Sequence, residues 1–228
     1  MKEFTAVIFD LDGTLTDPGV GIAATIRGVL MTLGVKAPPR AELGWCVGPP
    51  LREVFSRLLE AGGTGAPAER NSVLVERAAA LYMQNYARTG ATESTVYPGV
   101  EQMLTDLRAG AIRLFVATSK NVAAADQVLG LCELKRYFDA VAGNGRLDDK
   151  SDTVRELIER ERLERTATAM VGDRVHDIVA GQRNGIYTIG VTYGYGSREE
   201  LAAAGADQIC ESPMEVARIL GEGRRESG

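Results

Sequence analysis

Residues 6–14 read Ala6-Val7-Ile8-Phe9-Asp10-Leu11-Asp12-Gly13-Thr14, an apolar run that ends in two carboxylates two positions apart. The run predicts a buried strand, and the C-terminal end of a strand in an open α/β sheet is where such sheets bind ligands. Paired acids at a buried strand end are costly unless a cation or hydrogen-bond donors satisfy them, so the pattern asks for a hard metal with oxygen ligands. Asp10 and Asp12 are therefore the lead candidates for an active site. A calcium loop beginning at Asp10 would need Gly where Leu15 stands and Glu where Gly21 stands, which argues against an EF-hand.

From Tyr97 onward, short apolar runs alternate with helical patterns. Val100 to Ala109 predicts a helix stopped by Gly110, Arg113 to Ala117 a buried strand, and Asn121 to Leu131 the next helix. A weak strand at Ala140–Ala142 precedes a helix from about Ser151, whose hydroxyl is the expected cap. Ala169–Gly172 predicts a strand, Val175–Asn184 a helix stopped by Gly185, and Tyr187–Val191 another strand. Such alternation implies a doubly wound α/β fold, a parallel sheet covered by helices on both faces.

The stretch 16–95 breaks that rhythm. Ile22, Ile26, Val29, Leu30 and Leu33 form one helical stripe, Leu51, Val54, Phe55 and Leu58 a second, and Val73 to Tyr86 a third. The expected organisation is a core of residues 1–15 and 96–228 with an α-helical domain, 16–95, inserted between the first two strands. Gly62 to Pro67 reads as an exposed loop inside it, and Gly221 to Gly228 as a frayed tail.

The chain has 228 residues, 45% of them hydrophobic, and a net charge of −5. That length suffices for a full core, and the acidic balance argues against nucleic acid as a partner. Cys46, Cys132 and Cys210 are odd in number and outside any CxxC pattern, which suits buried thiols in a reducing compartment. No apolar run is long enough to span a bilayer, and Met1-Lys2-Glu3 leads at once into a strand without a signal-peptide pattern. The expectation is a cytoplasmic protein with no membrane partner, monomeric or homodimeric.

Further polar groups fall where core strands end: Thr118 and Ser119 after the second strand, Lys150 before the helix at Ser151, and Asp173 and Asp177 in Gly172-Asp173-Arg174-Val175-His176-Asp177. In a parallel sheet these ends share one edge. His176 has no partner histidine and reads as a surface residue.

Asp-x-Asp-Gly-Thr, a hydroxyl after the second strand, a lysine and Gly-Asp-x-x-x-Asp, in that order, resemble the four motifs of the haloacid dehalogenase superfamily of phosphohydrolases. The likeness runs the length of the chain and implies a Rossmann-like core, with the insert as a small helical cap. It implies Asp10 as nucleophile and Asp12 as acid and base. It also implies Mg²⁺ held by the Asp10 and Asp173 carboxylates and the Asp12 main-chain carbonyl, with Asp177 holding a metal-bound water or orienting the ligands. Thr118, Ser119, Lys150 and Gly13 then bind the phosphate, Thr118 being preferred over Ser119 as the motif hydroxyl.

The cap would choose the substrate. Trp45-Cys46-Val47-Gly48-Pro49-Pro50-Leu51-Arg52 is its most unusual segment, and Arg52 is the candidate reader of a second anion, with Trp45 or Tyr86 beside it. The expected substrate is a small-molecule phosphate ester, and the expected activity a phosphoglycolate phosphatase-like hydrolysis. A 5′-nucleotidase, a sugar phosphomutase and a catalytically idle binding protein are the alternatives.

Overall fold

The computed structural model describes residues 2–47, 49–63, 68–86, 93–143 and 149–225. The chain divides into two compact units, residues 1–17 with 95–228, and residues 18–94.

The first unit is built on parallel strands β1 (Ala6–Phe9), β4 (Arg113–Thr118), β5 (Ala140–Gly143), β6 (Thr168–Gly172), β7 (Tyr187–Val191) and β8 (Gln208–Cys210), in the order β5-β4-β1-β6-β7-β8. β1 lies at the centre, with Ile8 opposite Phe115 on one side and Met170 on the other. Its four residues are all buried, as a strand covered on both faces requires. Helices α6 (Lys150–Glu161) and α7 (Val175–Arg183) pack together, and Val154, Leu157, Ile158 and Ala180 join Ile8, Phe115 and Met170 in one apolar cluster. The strand alternation turns Val7, Phe9, Leu114 and Val116 to the opposite face. Helices α4 (Val100–Ala109), α5 (Val122–Leu131), α8 (Arg198–Ala203) and α9 (Pro213–Arg225) complete the unit, and α4 packs on α9. A two-stranded antiparallel ribbon pairs β2 (Thr16–Asp17) with β3 (Thr95–Val96).

Several expected boundaries shift. Thr118 closes β4, opposite Gly143, so it is the last strand residue and not the first of the turn. Lys150 is the first residue of α6, and the cap is Asp149, whose side chain accepts from the Ser151 amide at 2.8 Å. Asp149→Ala is therefore expected to cost about 1 kcal/mol in chemical denaturation. Ser151→Ala, which leaves the backbone amide that Asp149 holds, should cost less. The reverse order would make Ser151 the working cap. In the C-terminal segment α9 runs through Gly221 to Arg225.

The second unit holds α1 (Gly19–Thr32), α2 (Leu51–Ala61) and α3 (Ala68–Asn85). Ile22, Ile26, Val29 and Leu30 of α1, Val54, Phe55, Leu58 and Leu59 of α2, and Val75, Ala78, Ala79 and Tyr82 of α3 make its core. Val73, expected to open the third stripe, is 69% exposed, so the buried face of α3 begins at Val75. Tyr82 meets the edge of Phe55 and stacks on Tyr86. Gly48 of the Trp45–Arg52 segment and Thr64–Pro67 of the expected loop lie outside the described residues, as do the last three of the tail.

Candidate active site

Because the core strands are parallel, the C-terminal ends of β1, β4 and β6 lie on one edge of the sheet. Asp10 follows β1, and its amide continues the ladder to the Val171 carbonyl at 2.9 Å. Asp173 follows β6, and Asp177 sits in the first turn of α7. All three are buried, and an oxygen from each lies within 4.8 Å of the others. Lys150, its side chain 7% exposed, pairs through Nζ with both Asp10 Oδ1 and Asp177 Oδ1. The other Asp177 oxygen accepts from the Arg174 amide at 3.0 Å, which fixes the start of α7 as well as the carboxylate.

Gly13 makes the close packing possible. Its φ of +89° is left-handed, and a Cβ there would lie 2.2 Å from Asp173 Oδ2. A second close approach comes from Gly194, where a Cβ would sit 2.1 Å from the Gly13 carbonyl oxygen. The loop that carries it buttresses the site: the Tyr195 amide donates to Asp173 Oδ2 at 2.9 Å, and the Tyr193 hydroxyl donates to the Thr14 carbonyl at 3.0 Å. The Thr14 hydroxyl reaches Asp173 Oδ1 at 3.4 Å. The sequence analysis does not single out Tyr193, Gly194 or Tyr195. The signal was Tyr193-Gly194-Tyr195-Gly196, just after a strand that ends on the same edge.

Three buried carboxylates around one ammonium leave an excess of negative charge. Burial pushes the Asp10 carboxyl up to about 6; Lys150 pulls it back and Asp177 pushes it further up. Asp173 is raised well above the ordinary value by burial, then by Asp177 and Asp10. Burial opposes the Lys150 ammonium, but Asp10 and Asp177 outweigh it and hold it above the usual lysine value. A clustered set of hard oxygen donors with unneutralised charge fits a divalent cation.

The raised acids have a signed consequence. Asp10 and Asp173 bind protons more tightly folded than unfolded, so from pH 4 to about 6 the folded state holds the extra protons and these groups lower stability as pH rises. Asp10→Asn removes one of them. In EDTA, the variant's stability relative to wild type is expected to grow between pH 4 and pH 7 in urea titrations; a difference independent of pH would contradict the burial argument.

The remaining candidates divide. Thr118 is buried at the end of β4, and its Oγ1 accepts from the Lys120 amide at 3.2 Å, while Ser119 is exposed. Asp12 stands apart from the three-carboxylate group and pairs with Lys120, which the sequence reading does not single out. Burial pulls the Lys120 ammonium down to about 7, with Asp10 pulling the other way. His176 is exposed, as expected. In the second unit, Arg52 makes a two-pronged pair with Glu76 at 2.7 and 3.1 Å, and the Arg57 guanidinium lies 4.3 Å from the Trp45 ring centre.

A family model described as haloacid dehalogenase-like hydrolase matches residues 7–191, from the first strand through β7. The chain belongs to that family. A relative from Pseudomonas aeruginosa named 5′-nucleotidase is 33% identical over 94% of each chain. One from Nitrosospira multiformis named phosphoglycolate phosphatase is 31% identical over 94% of this chain and 95% of its own. Among solved structures, a predicted phosphatase from Clostridium acetobutylicum superposes with a TM-score of 0.85 at 34% identity, covering 96% of this chain and 99% of that one. The parallel sheet with flanking helices is therefore the core of a haloacid dehalogenase-like hydrolase. Among the described residues, no helix is long and apolar enough to cross a membrane.

Proposed function

We propose that the chain is a Mg²⁺-dependent phosphomonoesterase that acts on small-molecule phosphate esters through an aspartyl-phosphate at Asp10. The observation that carries this reading is the Asp10–Lys150–Asp177 arrangement with Asp173 beside it, one ammonium among three buried carboxylates at a sheet edge. The relatives named phosphoglycolate phosphatase and 5′-nucleotidase support the substrate class.

In this reading an Asp10 carboxylate oxygen attacks phosphorus as the bond from phosphorus to the ester oxygen breaks, and Asp12 gives that oxygen its proton. Water then attacks phosphorus, Asp12 takes a proton from it, and Asp10 leaves. Lys150 orients Asp10 and offsets charge on the transferring group, while the Thr118 hydroxyl and the Ser119 amide donate to its oxygens. The Gly13 amide, which the resemblance gives to the phosphate, donates instead to the Thr16 carbonyl at 2.7 Å, and the residue's part is to let Asp173 pack against the loop after β1. Asp10, Asp173, Asp177 and the Asp12 carbonyl would hold Mg²⁺. When bound, the ion neutralises the carboxylates and polarises the phosphoryl oxygens.

Residues 18–94 are the proposed cap, two residues shorter at the start and one at the end than the 16–95 expected from sequence, and Arg52 the proposed reader of a second substrate anion. Its pair with Glu76 is half exposed on both sides, worth only about 0.2–1 kcal/mol, so an incoming anion can displace Glu76. Arg52→Ala is expected to raise KM for substrates with a second anion by about tenfold while kcat stays within twofold. An unchanged KM for every accepted substrate would remove Arg52 from the site.

The activity itself is tested by phosphate release from 2-phosphoglycolate, nucleoside 5′-monophosphates and sugar phosphates, each with Mg²⁺ and with EDTA. Mg²⁺-dependent turnover led by phosphoglycolate or by nucleotides selects between the two relatives' activities. A phosphoenzyme that persists without hydrolysis indicates a mutase, and no turnover on any ester overturns the proposal.

A further inference from the structure

Lys120 lies in the short connection between two fixed elements. Thr118 ends β4 in register with Gly143, and Asn121 caps α5, its side chain accepting from the Ala124 amide at 2.8 Å. The Lys120 amide donates to Thr118 Oγ1, which holds the start of the connection in place. From there its side chain, 13% exposed, reaches back to β1's edge and pairs through Nζ with Asp12 Oδ2; the Asp12 side chain is 14% exposed. The other oxygen, Asp12 Oδ1, is buried and has no hydrogen-bond partner among the described residues. A buried carboxylate oxygen left unpaired is costly, and the cost is recovered only when something binds there.

We infer that Lys120 is the positioning residue for the acid and base of this enzyme: it holds Asp12 by Oδ2 and so assigns Oδ1 as the oxygen that exchanges protons with the substrate. The inference rests on the phosphomonoesterase reading above. Held at one oxygen, the carboxyl group keeps a single orientation. In the first step Oδ1 delivers its proton to the ester oxygen, which also takes the electron pair of the breaking bond to phosphorus. In the second, Oδ1 receives the proton of the water whose oxygen bonds to phosphorus while the bond to Asp10 breaks. Lys120 keeps N–H donors to Oδ2 whether the amine is charged or neutral, so its positioning role needs no change in its own protonation. Lys150 serves the nucleophile and Lys120 the acid, and the two lysines divide one site between them.

In the transfer of phosphorus to Asp10, the step that kcat/KM reports, a residue that acts through Asp12 affects only esters that need their leaving oxygen protonated. The test is the ratio of kcat/KM on an alkyl phosphate to kcat/KM on an activated ester such as 4-nitrophenyl phosphate, with Mg²⁺, for wild type, Asp12→Ala, Lys120→Met and the double variant. Asp12→Ala is expected to lower the ratio by about 10². Lys120→Met is expected to lower it by at least tenfold, and to add less than twofold in the Asp12→Ala background. An equal loss of kcat/KM on both esters would make Lys120 a phosphate ligand and overturn the inference, as would an unchanged ratio with no loss at all. Lys120→Gln keeps an N–H donor at shorter reach, and its ratio should lie between the wild-type and Met values; it serves in place of Lys120→Met if that variant fails to fold. If Asp12→Ala itself leaves the ratio unchanged, the assigned acid is wrong and the functional reading falls with it, whereas a ratio lowered by Asp12→Ala but not by the lysine variants sinks the Lys120 inference alone.

Discussion

Asp10→Asn is expected to reduce phosphate release by at least about 10⁴-fold, the order of loss that follows removal of a covalent nucleophile. The amide nitrogen has no free lone pair to attack phosphorus, yet it is nearly isosteric with the oxygen it replaces. The backbone amide of residue 10 still bonds the Val171 carbonyl, so β1 and its neighbours have no reason to move. The substitution also removes one buried negative charge from a cluster that carries an excess of them. Melting temperature at neutral pH in EDTA should therefore stay level or rise while activity disappears. Retention of more than a trace of activity by this variant would place the nucleophile elsewhere.

Lys150→Met is expected to have the largest effect on stability. Among the described residues the ammonium is the group that pairs with both Asp10 and Asp177, and its side chain is almost fully enclosed. Without it two buried carboxylates face each other and Asp173 across a few ångströms. Breaking such an arrangement from one side costs about 3–5 kcal/mol. The loss should be greatest near neutral pH in EDTA and smaller at pH 5, where Asp10 and Asp173, already raised, take up protons. Urea denaturation at both pH values checks this, and a loss below about 1 kcal/mol at pH 7 would show that the charges are relieved by other means. Activity should fall with stability, by roughly 10²-fold or more, because the nucleophile loses its orienting donor.

The core was readable because its signals are local. Four consecutive apolar residues before Asp10 can be buried on both faces only in a covered parallel strand, and the alternation from Tyr97 onward supplies the covering helices. What escaped depends on contacts made across the chain. β8 has three residues at the sheet edge, too short for a periodic pattern to register. At α6 the sequence points to Ser151 as the cap, and the backbone geometry gives that place to Asp149. Lys150 and Lys120 look alike in sequence, each a lysine beside a turn. The second is distinguished only by the 108-residue separation over which the fold brings it to Asp12. Tyr195 likewise supports Asp173 through its backbone amide, a group every non-proline residue carries and no motif can mark. Motif residues on strand ends are therefore legible in a way that their supports are not.

The central claim is that phosphorus is transferred to Asp10. The most direct test is an acid quench of the enzyme during turnover with Mg²⁺ and ³²P-labelled 4-nitrophenyl phosphate, whose leaving oxygen needs no proton, followed by peptide mapping. The account predicts a hydroxylamine-sensitive label on the peptide containing Asp10, present in wild type, increased in Asp12→Ala, where water is no longer activated for the second step, and absent from Asp10→Asn. Label on another residue, or rapid turnover with no trapped label in either wild type or Asp12→Ala, would contradict it.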